Sequence, residues 1–585
     1  MPDGSEAAPP VQDQAPAAAV PDTLAQAQRL DRRLHALQSR FTGGLAPASL
    51  PMAAMDWLFH AANRPSEMTE QWRAAAAQWR RLGLILSHAE EPIMPRPGDH
   101  RFADPAWRES PYAELVQTVL LGEEWWQGLV EAPGGVAEHN RRLLSFTVQQ
   151  WLDMLSPSNF PATNPEILTT TRERLGANLF EGFANFLREQ SGKPNGQAKT
   201  FRLGQDLATA PGKVVFRNAL IELIQYAPTT PTVLPEPVLI VPAWIMKYYI
   251  LDLSPQNSLV RFLVGQGRTV FMISWRNPGA EMRDMSLEDY REMGVMAAID
   301  TVSAILPEQK IHLTGYCLGG TLATITAAHC AAVGDRRLAS LSLFAAQTDF
   351  SEAGELQLFV SEDQLDFLED VMQAQGYLSS RQMSSAFQML RPNDLLWSRI
   401  IRDYYLGESP ASFDLMAWNA DGTRMPARMH GEYLRRLYLH NDLAEGRLMA
   451  GGHTMALENI HLPIFLVGTE QDHIAPWHSV YKLHFLNDGA ITFVLTTGGH
   501  NAGIVSEPGH PRRHFRIGSR AAGGQTLGAD EWQAATAPRD GSWWPEWAAW
   551  LGAQSATTSA PPPGMSLPGT PLFGDAPGAY VLEEG

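Results

Sequence analysis

Cys317 lies in the run Gly315-Tyr316-Cys317-Leu318-Gly319-Gly320, between an apolar stretch, Ile311 to Thr314, and a helix-like one, Leu322 to Ala328. This pattern is that of a nucleophile elbow, in which the residue between two glycines occupies a sharp strand-to-helix turn and any neighbouring Cβ would meet backbone. The sulfur is expected to be pushed up into solvent at a helix N-terminus, where unpaired amides favour a thiolate and an oxyanion. The amide of Leu318 is placed to face the developing charge. The plain alternative is a structural cysteine buried in a glycine-rich turn.

A thiol at such a turn needs a base, and the base needs a group to orient it. The apolar run Pro463 to Gly468 ends in Thr469-Glu470-Gln471-Asp472-His473, which places Asp472 on a loop at a strand's carboxyl end. The next run ends in Gly498-Gly499-His500-Asn501, a histidine flanked by glycines on the loop after the last expected strand. Nucleophile, acid and histidine therefore follow one another as Cys317, Asp472 and His500. His473 is the nearest competitor for the base and reads as a supporting hydrogen-bonding residue. Asp349, after the run Leu341 to Ala346, is the second candidate for the acid. Cys330, in an alanine-rich helical stretch, reads as a small core residue.

Cysteine in place of serine changes what the site does best. A thiolate attacking a thioester yields another thioester, so the acyl group stays activated, and its later transfer to an alcohol is downhill. A covered site that keeps water out can then build oxoesters rather than hydrolyse them. The chemistry points to acyl transfer from a thioester such as acyl-coenzyme A.

These residues need a scaffold that brings three loops together. Val214 to Phe216, Ala219 to Tyr226, Val238 to Val241, Thr269 to Trp275, Lys310 to Tyr316, Leu338 to Ala346, Pro463 to Gly468 and Ile491 to Thr496 read as strands, with helix-like stretches such as Ser286 to Leu306 between them. The alternation predicts a mostly parallel sheet with helices on both sides. With a cysteine elbow at its centre, it predicts an α/β-hydrolase fold over residues 201–555. About a hundred residues separate two successive strands, far more than a connection needs, so an insertion at about 352–460 is expected to form a lid over the site. It carries amphipathic patterns at Glu362 to Gln375, Leu395 to Tyr405 and His430 to Leu439. Residues 23–200 read as a helical N-terminal domain, as in Leu24 to Leu37, Met68 to Leu86 and Pro111 to Leu129. Trp57, Trp72, Trp79, Trp125, Trp126 and Trp151 are expected to be packing residues there. Residues 1–22 are Ala/Pro/Gln-rich and expected to be disordered, and 556–585 form a Pro/Gly-rich C-terminal tail.

Composition narrows the function further. A length of 585 residues implies two to four domains. A net charge of −18 with no dense basic block argues against nucleic-acid binding, because phosphate contacts need a basic surface. Two cysteines imply no disulfide framework and a reducing compartment, and a CxxC metal pair is absent, so no metal is expected. Met1 to Glu6 lacks a signal peptide's features and no apolar run approaches a bilayer span, so a soluble, cytoplasmic protein is expected.

From Arg101 onward the chain resembles the polyhydroxyalkanoate (polyhydroxybutyrate) synthases. The resemblance is carried by Arg101 to Trp107, Lys247 to Leu253, Val270 to Pro278, the Gly315 to Gly320 box, Leu390 to Trp397, Phe413 to Asn419 and Gly541 to Pro545. It implies that Cys317 carries the growing hydroxyacyl chain, that His500 activates the thiol, and that Asp472 orients the histidine and helps activate the incoming hydroxyl. It also implies that Leu318 supplies an oxyanion-hole amide. The implied substrate is (R)-3-hydroxyacyl-coenzyme A, with coenzyme A released and no cofactor beyond the one the substrate carries. A homodimer on polymer granules and the single-subunit type are implied as well. Two departures stand out. The family's Ile-Asn-Lys-Tyr-Tyr is Ile245-Met246-Lys247-Tyr248-Tyr249 here, and Ser506 to Arg513 replaces its usual Asn-Pro and lysine-rich run after the histidine loop. Two other readings share the sequence: a thioesterase or polyester hydrolase using the same three residues, and a non-catalytic granule scaffold.

Overall fold

A computed structural model describes residues 30–39, 45–96, 98–191, 201–390, 396–408, 413–566 and 569–585. The stretch 1–22, the 193–196 boundary and most of the Leu390–Trp397 segment lie outside the described residues. The architecture is set by a ten-stranded mixed sheet. Its strands are β1 (Gly212–Arg217), β2 (Ile221–Tyr226), β3 (Val238–Val241), β4 (Val270–Trp275), β5 (Ile311–Tyr316), β6 (Leu338–Phe344), β7 (Ile464–Thr469), β8 (Ile491–Thr496), β9 (His514–Arg520) and β10 (Arg539–Asp540). They lie in the order β1-β2-β4-β3-β5-β6-β7-β8-β9-β10. From β4 to β8 every pairing is parallel, while β1, β2, β9 and β10 join antiparallel at the two sides.

The mostly apolar composition of β3, β4 and β7 follows from this placement, because helices on both faces leave β3, β4, β5 and β7 buried along their whole length. The sheet does not stop at β8, as the sequence suggested. Strand β9 is half-exposed and carries His514, Arg516 and Arg520, so its polar composition conceals a strand that pairs on β8 and on β10. The parallel strands deliver their carboxyl ends to one edge, where loops after β3, β5, β7 and β8 meet.

The segment between β6 and β7 contributes helices at Glu362–Gln375, Ser380–Leu390, Asp414–Ala420 and Ala427–Tyr433, the last continuing as a wider-wound turn to Leu439. Residues from these helices share one or the other of two cavities with Cys317. The last residues also fold onto the body. Val214 on β1 exchanges backbone hydrogen bonds with Phe573 and Gly574, and Val581 is buried in the main core.

Ahead of the sheet stand helices at Ser49–Ala62, Pro65–Leu86, Tyr112–Glu131, Glu138–Met154, Pro165–Glu173 and Ala177–Gln190. The sequence placed the tryptophans of this region in packing positions, and the structure corrects that for several. Trp72 and Trp79 are 67% and 70% exposed, and Trp126 and Trp151 are exposed as well. Helical spacing selects one face of a helix, but whether that face is covered depends on a partner element that spacing does not specify. Small apolar clusters, Phe102 with Trp107, Val116 and Leu120, and Leu82 with Ile85 and Leu121, are joined there by polar contacts around Arg101. Its guanidinium donates to Asp99 (2.7 Å), Glu123 (2.7 and 3.0 Å) and Asp153 (3.3 Å), all nearly out of solvent. Arg101→Met would leave three carboxylates clustered without their cation, at an expected cost of about 3–5 kcal/mol. Urea unfolding followed by tryptophan fluorescence measures it, and a midpoint unchanged from the parent's would refute this account.

Candidate active site

Strand β5 runs into the helix Leu318–Val333 through Cys317, whose backbone takes φ 53° and ψ −125°. A non-glycine residue holds such a conformation only where its surroundings enforce it. They do so by close approach: a Cβ on Gly315 would lie 2.3 Å from the Gly320 Cα, and one on Gly319 would lie 2.1 Å from the Val241 carbonyl oxygen at the end of β3. The Cys317 amide donates to the Phe344 carbonyl on β6, which fixes the turn from the other side. Leu318 opens the helix, where the first amides have no intrahelical acceptor. The sulfur, however, does not project into open solvent as the elbow pattern suggested. Cys317 is only 8% exposed, because the helices between β6 and β7 cover it.

Asp472 follows β7 on a tight loop and is buried. Its Oδ1 accepts from the amides of Ile474 (2.9 Å) and Ala475 (2.8 Å), and its Oδ2 accepts from Thr469 Oγ1 (3.0 Å) and from His500 Nδ1 (2.7 Å). Burial works against the charged carboxylate. The His500 charge and these donors outweigh it and hold the group below its ordinary 3.8. Because the acceptor at Nδ1 is a carboxylate, that nitrogen carries the proton and Nε2 is left for the sulfur. Burial likewise disfavours the imidazolium, yet the Asp472 carboxylate, then Cys317 with its charge and a hydrogen bond, keep His500 protonated well above its ordinary 6.5. An acid–imidazole–thiol line of this kind can take a proton from sulfur, hold it, and return it to a leaving group.

Cys317 separates two chambers. One is mostly apolar, with Ile245, Phe350, Val360, Leu378 and Tyr433 in its wall. The other is more polar and includes Lys247, Tyr316, Ser380, Asn419 and Asn501. Burial pushes the hydroxyl groups of Tyr433 and Tyr438 up, and the Cys317 charge adds to the effect, so both stay protonated beside the sulfur.

The comparisons with known proteins fall on this geometry. Residues 98–263 match the family described as Poly-beta-hydroxybutyrate polymerase (PhaC) N-terminus, 25–66 match Poly-beta-hydroxybutyrate polymerase N terminal, and 236–507 match the alpha/beta hydrolase fold. The poly(3-hydroxyalkanoate) polymerase of Methylorubrum extorquens is 42% identical over 547 residues, covering 91% of this chain and 89% of that protein. The chain belongs to the poly(3-hydroxyalkanoate) polymerase family. A second member, the polymerase subunit PhaC of Rhizobium etli, is 38% identical over 84% of this chain and 78% of its own. Among solved structures, a monoacylglycerol lipase of Paleococcus ferrophilus aligns at 15% identity and a TM-score of 0.31, covering 49% of this chain and 96% of that one.

As a poly(3-hydroxyalkanoate) polymerase, the chain shows how its motif segments assemble. Tyr316 donates to Asn501 Oδ1 (2.5 Å), which ties the cysteine turn to the histidine loop, and Asn501 Nδ2 faces Asn419 Oδ1 at 3.4 Å. Trp418 Nε1 donates to the Lys247 carbonyl (2.8 Å). From behind, Trp543 and Trp544 donate to the carbonyls of Gly503 and Ile504 and support the histidine loop. Of the rivals, Asp349 accepts from Ser351 and Asn441, while His473 borders the polar chamber. Cys330 is a buried helix residue whose thiol burial pushes up to about 12. Met246 stands at the departure from the family pattern and bridges to Gly422. Sequence reasoning did not find Tyr433, Tyr438 or the Tyr316–Asn501 bond. The last was open to it, since each partner adjoins a candidate catalytic residue. Among the described residues no helix is long and apolar enough to cross a membrane, and no group of metal-binding side chains occurs.

Proposed function

We propose that this protein polymerises (R)-3-hydroxyacyl-coenzyme A into polyester with release of coenzyme A, through an acyl group carried on Cys317. The observation that carries the reading is a cysteine, rather than a serine, at a covered elbow that borders an apolar chamber, in a chain of this family. With the proton on His500, the sulfur attacks the thioester carbonyl. A new carbon–sulfur bond forms, the bond to coenzyme A breaks, and His500 Nε2 gives its proton to the departing thiolate. The neutral imidazole then takes the proton of a hydroxyl group as that oxygen attacks the acyl-cysteine. An ester forms, the sulfur leaves as thiolate, and the imidazolium is restored. Asp472 keeps the ring in the tautomer both steps need, and the Leu318 amide receives the negative charge on the carbonyl oxygen. No cofactor takes part beyond the coenzyme A of the substrate.

The protein acts as a homodimer at the surface of cytoplasmic polymer granules. A row of exposed side chains on the helix Ala177–Gln190, with Phe180, Phe183 and Leu187, supports such an apolar association. Incubation with (R)-3-hydroxybutyryl-coenzyme A tests the reaction. Insoluble polymer is expected alongside free coenzyme A, whereas coenzyme A accompanied by stoichiometric free hydroxy acid would identify a thioesterase instead.

A further inference from the structure

Lys247 lines the polar chamber beside Cys317, Arg424 directly follows its lining residue Thr423, and residues 583–585 lie across both. Lys247, 3% exposed, follows β3, and its ammonium donates to the Glu583 carbonyl oxygen. Arg276, directly after β4, brings its Nε to 3.5 Å from the Glu583 carboxylate. The Asn277 amide donates to that carboxylate (3.0 Å), and its side-chain Nδ2 donates to the Glu584 carbonyl. Arg424 Nη2 donates to the same carbonyl (2.7 Å), with its guanidinium over the Tyr377 ring at 5.1 Å. Gly585 rests against Gly422 and Ser380, both of which line the chamber. Strands β3 and β4 are parallel neighbours, so the loops after them converge at the edge where sheets of this kind take their ligands.

Burying Lys247 costs its charge solvation and lowers its pKa, the Asp421 and Glu583 charges oppose this only in part, and the ammonium itself meets a carbonyl oxygen of the tail. Lys247, Arg276 and Arg424 meet around Glu583 and Glu584, while Arg276 also faces Glu281 at 3.6 Å and the Asp421 charge acts on Lys247. A coenzyme A thioester joins a small acyl group to a long arm that ends in phosphates. When its carbonyl is at Cys317, the phosphates need cations and N–H donors at the chamber's rim, and guanidinium and amide groups suit them. The atoms now on these cations, two carbonyl oxygens and a carboxylate, present the same acceptor chemistry. We propose that Lys247, Arg276, Asn277 and Arg424 form the seat for the phosphate groups of the acyl-coenzyme A substrate, and that Glu583 and Glu584 occupy this seat in the free protein. The inference rests on the polymerase reading for its substrate. It adds a binding site and a competition: substrate enters as the tail leaves.

The test compares two substrates with one acyl group, (R)-3-hydroxybutyryl-coenzyme A and the N-acetylcysteamine thioester, which has no phosphate. A chain ending at Leu582 is expected to show a several-fold lower KM for the coenzyme A ester relative to the short thioester. Arg424→Ala is expected to raise that ratio about tenfold, the effect of losing one charge-assisted phosphate contact. Calorimetric titration with free coenzyme A reads the seat without turnover and should follow the same order: shortened chain tightest, parent next, Arg424→Ala weakest. Arg276→Gln, a partly exposed position, gives a second variant should Arg424→Ala fold poorly, with the same direction expected. Equal KM changes for both thioesters, or coenzyme A affinity indifferent to the shortened tail and to both arginines, would overturn the seat. Hydroxy acid in place of polymer from the parent would instead overturn the polymerase reading, while the calorimetric order would still decide the seat.

Discussion

Cys317→Ala is expected to lose covalent loading completely and to lower polymer formation on the order of 10⁶-fold, because both half-reactions pass through the same sulfur. The substitution removes the sulfur and its hydrogen bond to His500, but the Asp472–His500 and Thr469–Asp472 bonds do not depend on it, so the fold should persist and the loss should be chemical. Intact-mass measurement after exposure to labelled hydroxybutyryl-coenzyme A reads the loading directly. The parent should gain acyl mass, and the variant none. Cys330 serves as the internal control. Its thiol is buried, held protonated by that burial and by Asp335, and it faces neither chamber. Cys317→Ser separates nucleophile chemistry from shape. A serine acyl-enzyme is already an oxoester, so transfer to another hydroxyl is no longer downhill and chain growth should stall even where loading occurs. Label retained on the alanine variant, or turnover within tenfold of the parent, would remove Cys317 from the mechanism.

The parts of this molecule that could be read from sequence are those where one physical rule dominates. Val238 to Val241 is an unbroken apolar run, and Val270 to Trp275 is one but for Ser274, because both strands are buried on both faces. The Gly315–Gly320 box is legible because backbone passes within the space of a Cβ at Gly315 and Gly319. Asp472 and His500 follow from being on loops after neighbouring strands, and the structure brings them to 2.7 Å. What stayed hidden depends on contacts between distant segments. Strand β9 carries charged side chains, because only its partner β8 and the turn beyond make it a strand. The exposure of Trp72 and Trp79 was not visible in their helical spacing, which is the same whether or not another element covers them. The covering of Cys317 and the return of residues 573–585 to β1 and to the polar chamber join positions far apart along the chain. Composition marked 556–585 only as rich in proline and glycine.

Asp472→Asn is expected to slow turnover about 10²- to 10⁴-fold while leaving the shape of the site intact. The amide can still meet His500 Nδ1, but it can do so through its NH₂ group, which selects the tautomer with the proton on Nε2 and leaves nothing there to accept the thiol proton. The electrostatics change as well. In the parent, burial opposes the imidazolium and is overcome chiefly by the Asp472 charge, with Cys317 assisting. Once that charge is gone, burial prevails, and His500 should titrate lower than in the parent, which the imidazole carbon-proton resonances will show. The sign for stability follows from the same shifts. A histidine raised above 6.5 contributes stability that is complete below 6.5 and disappears as pH climbs through the folded value. A carboxyl held below 3.8 contributes stability that is present above 3.8 and disappears as pH falls through its folded value. The parent's thermal midpoint should therefore be highest between about 4 and 6.5, fall below that interval, and fall progressively above 6.5 until pH passes the folded value of His500, and the variant should lose both contributions. Identical His500 titrations in parent and variant would show that the carboxylate does not hold the ring's proton. The thiol would then have to be activated by the helix amides and the enclosing chamber alone.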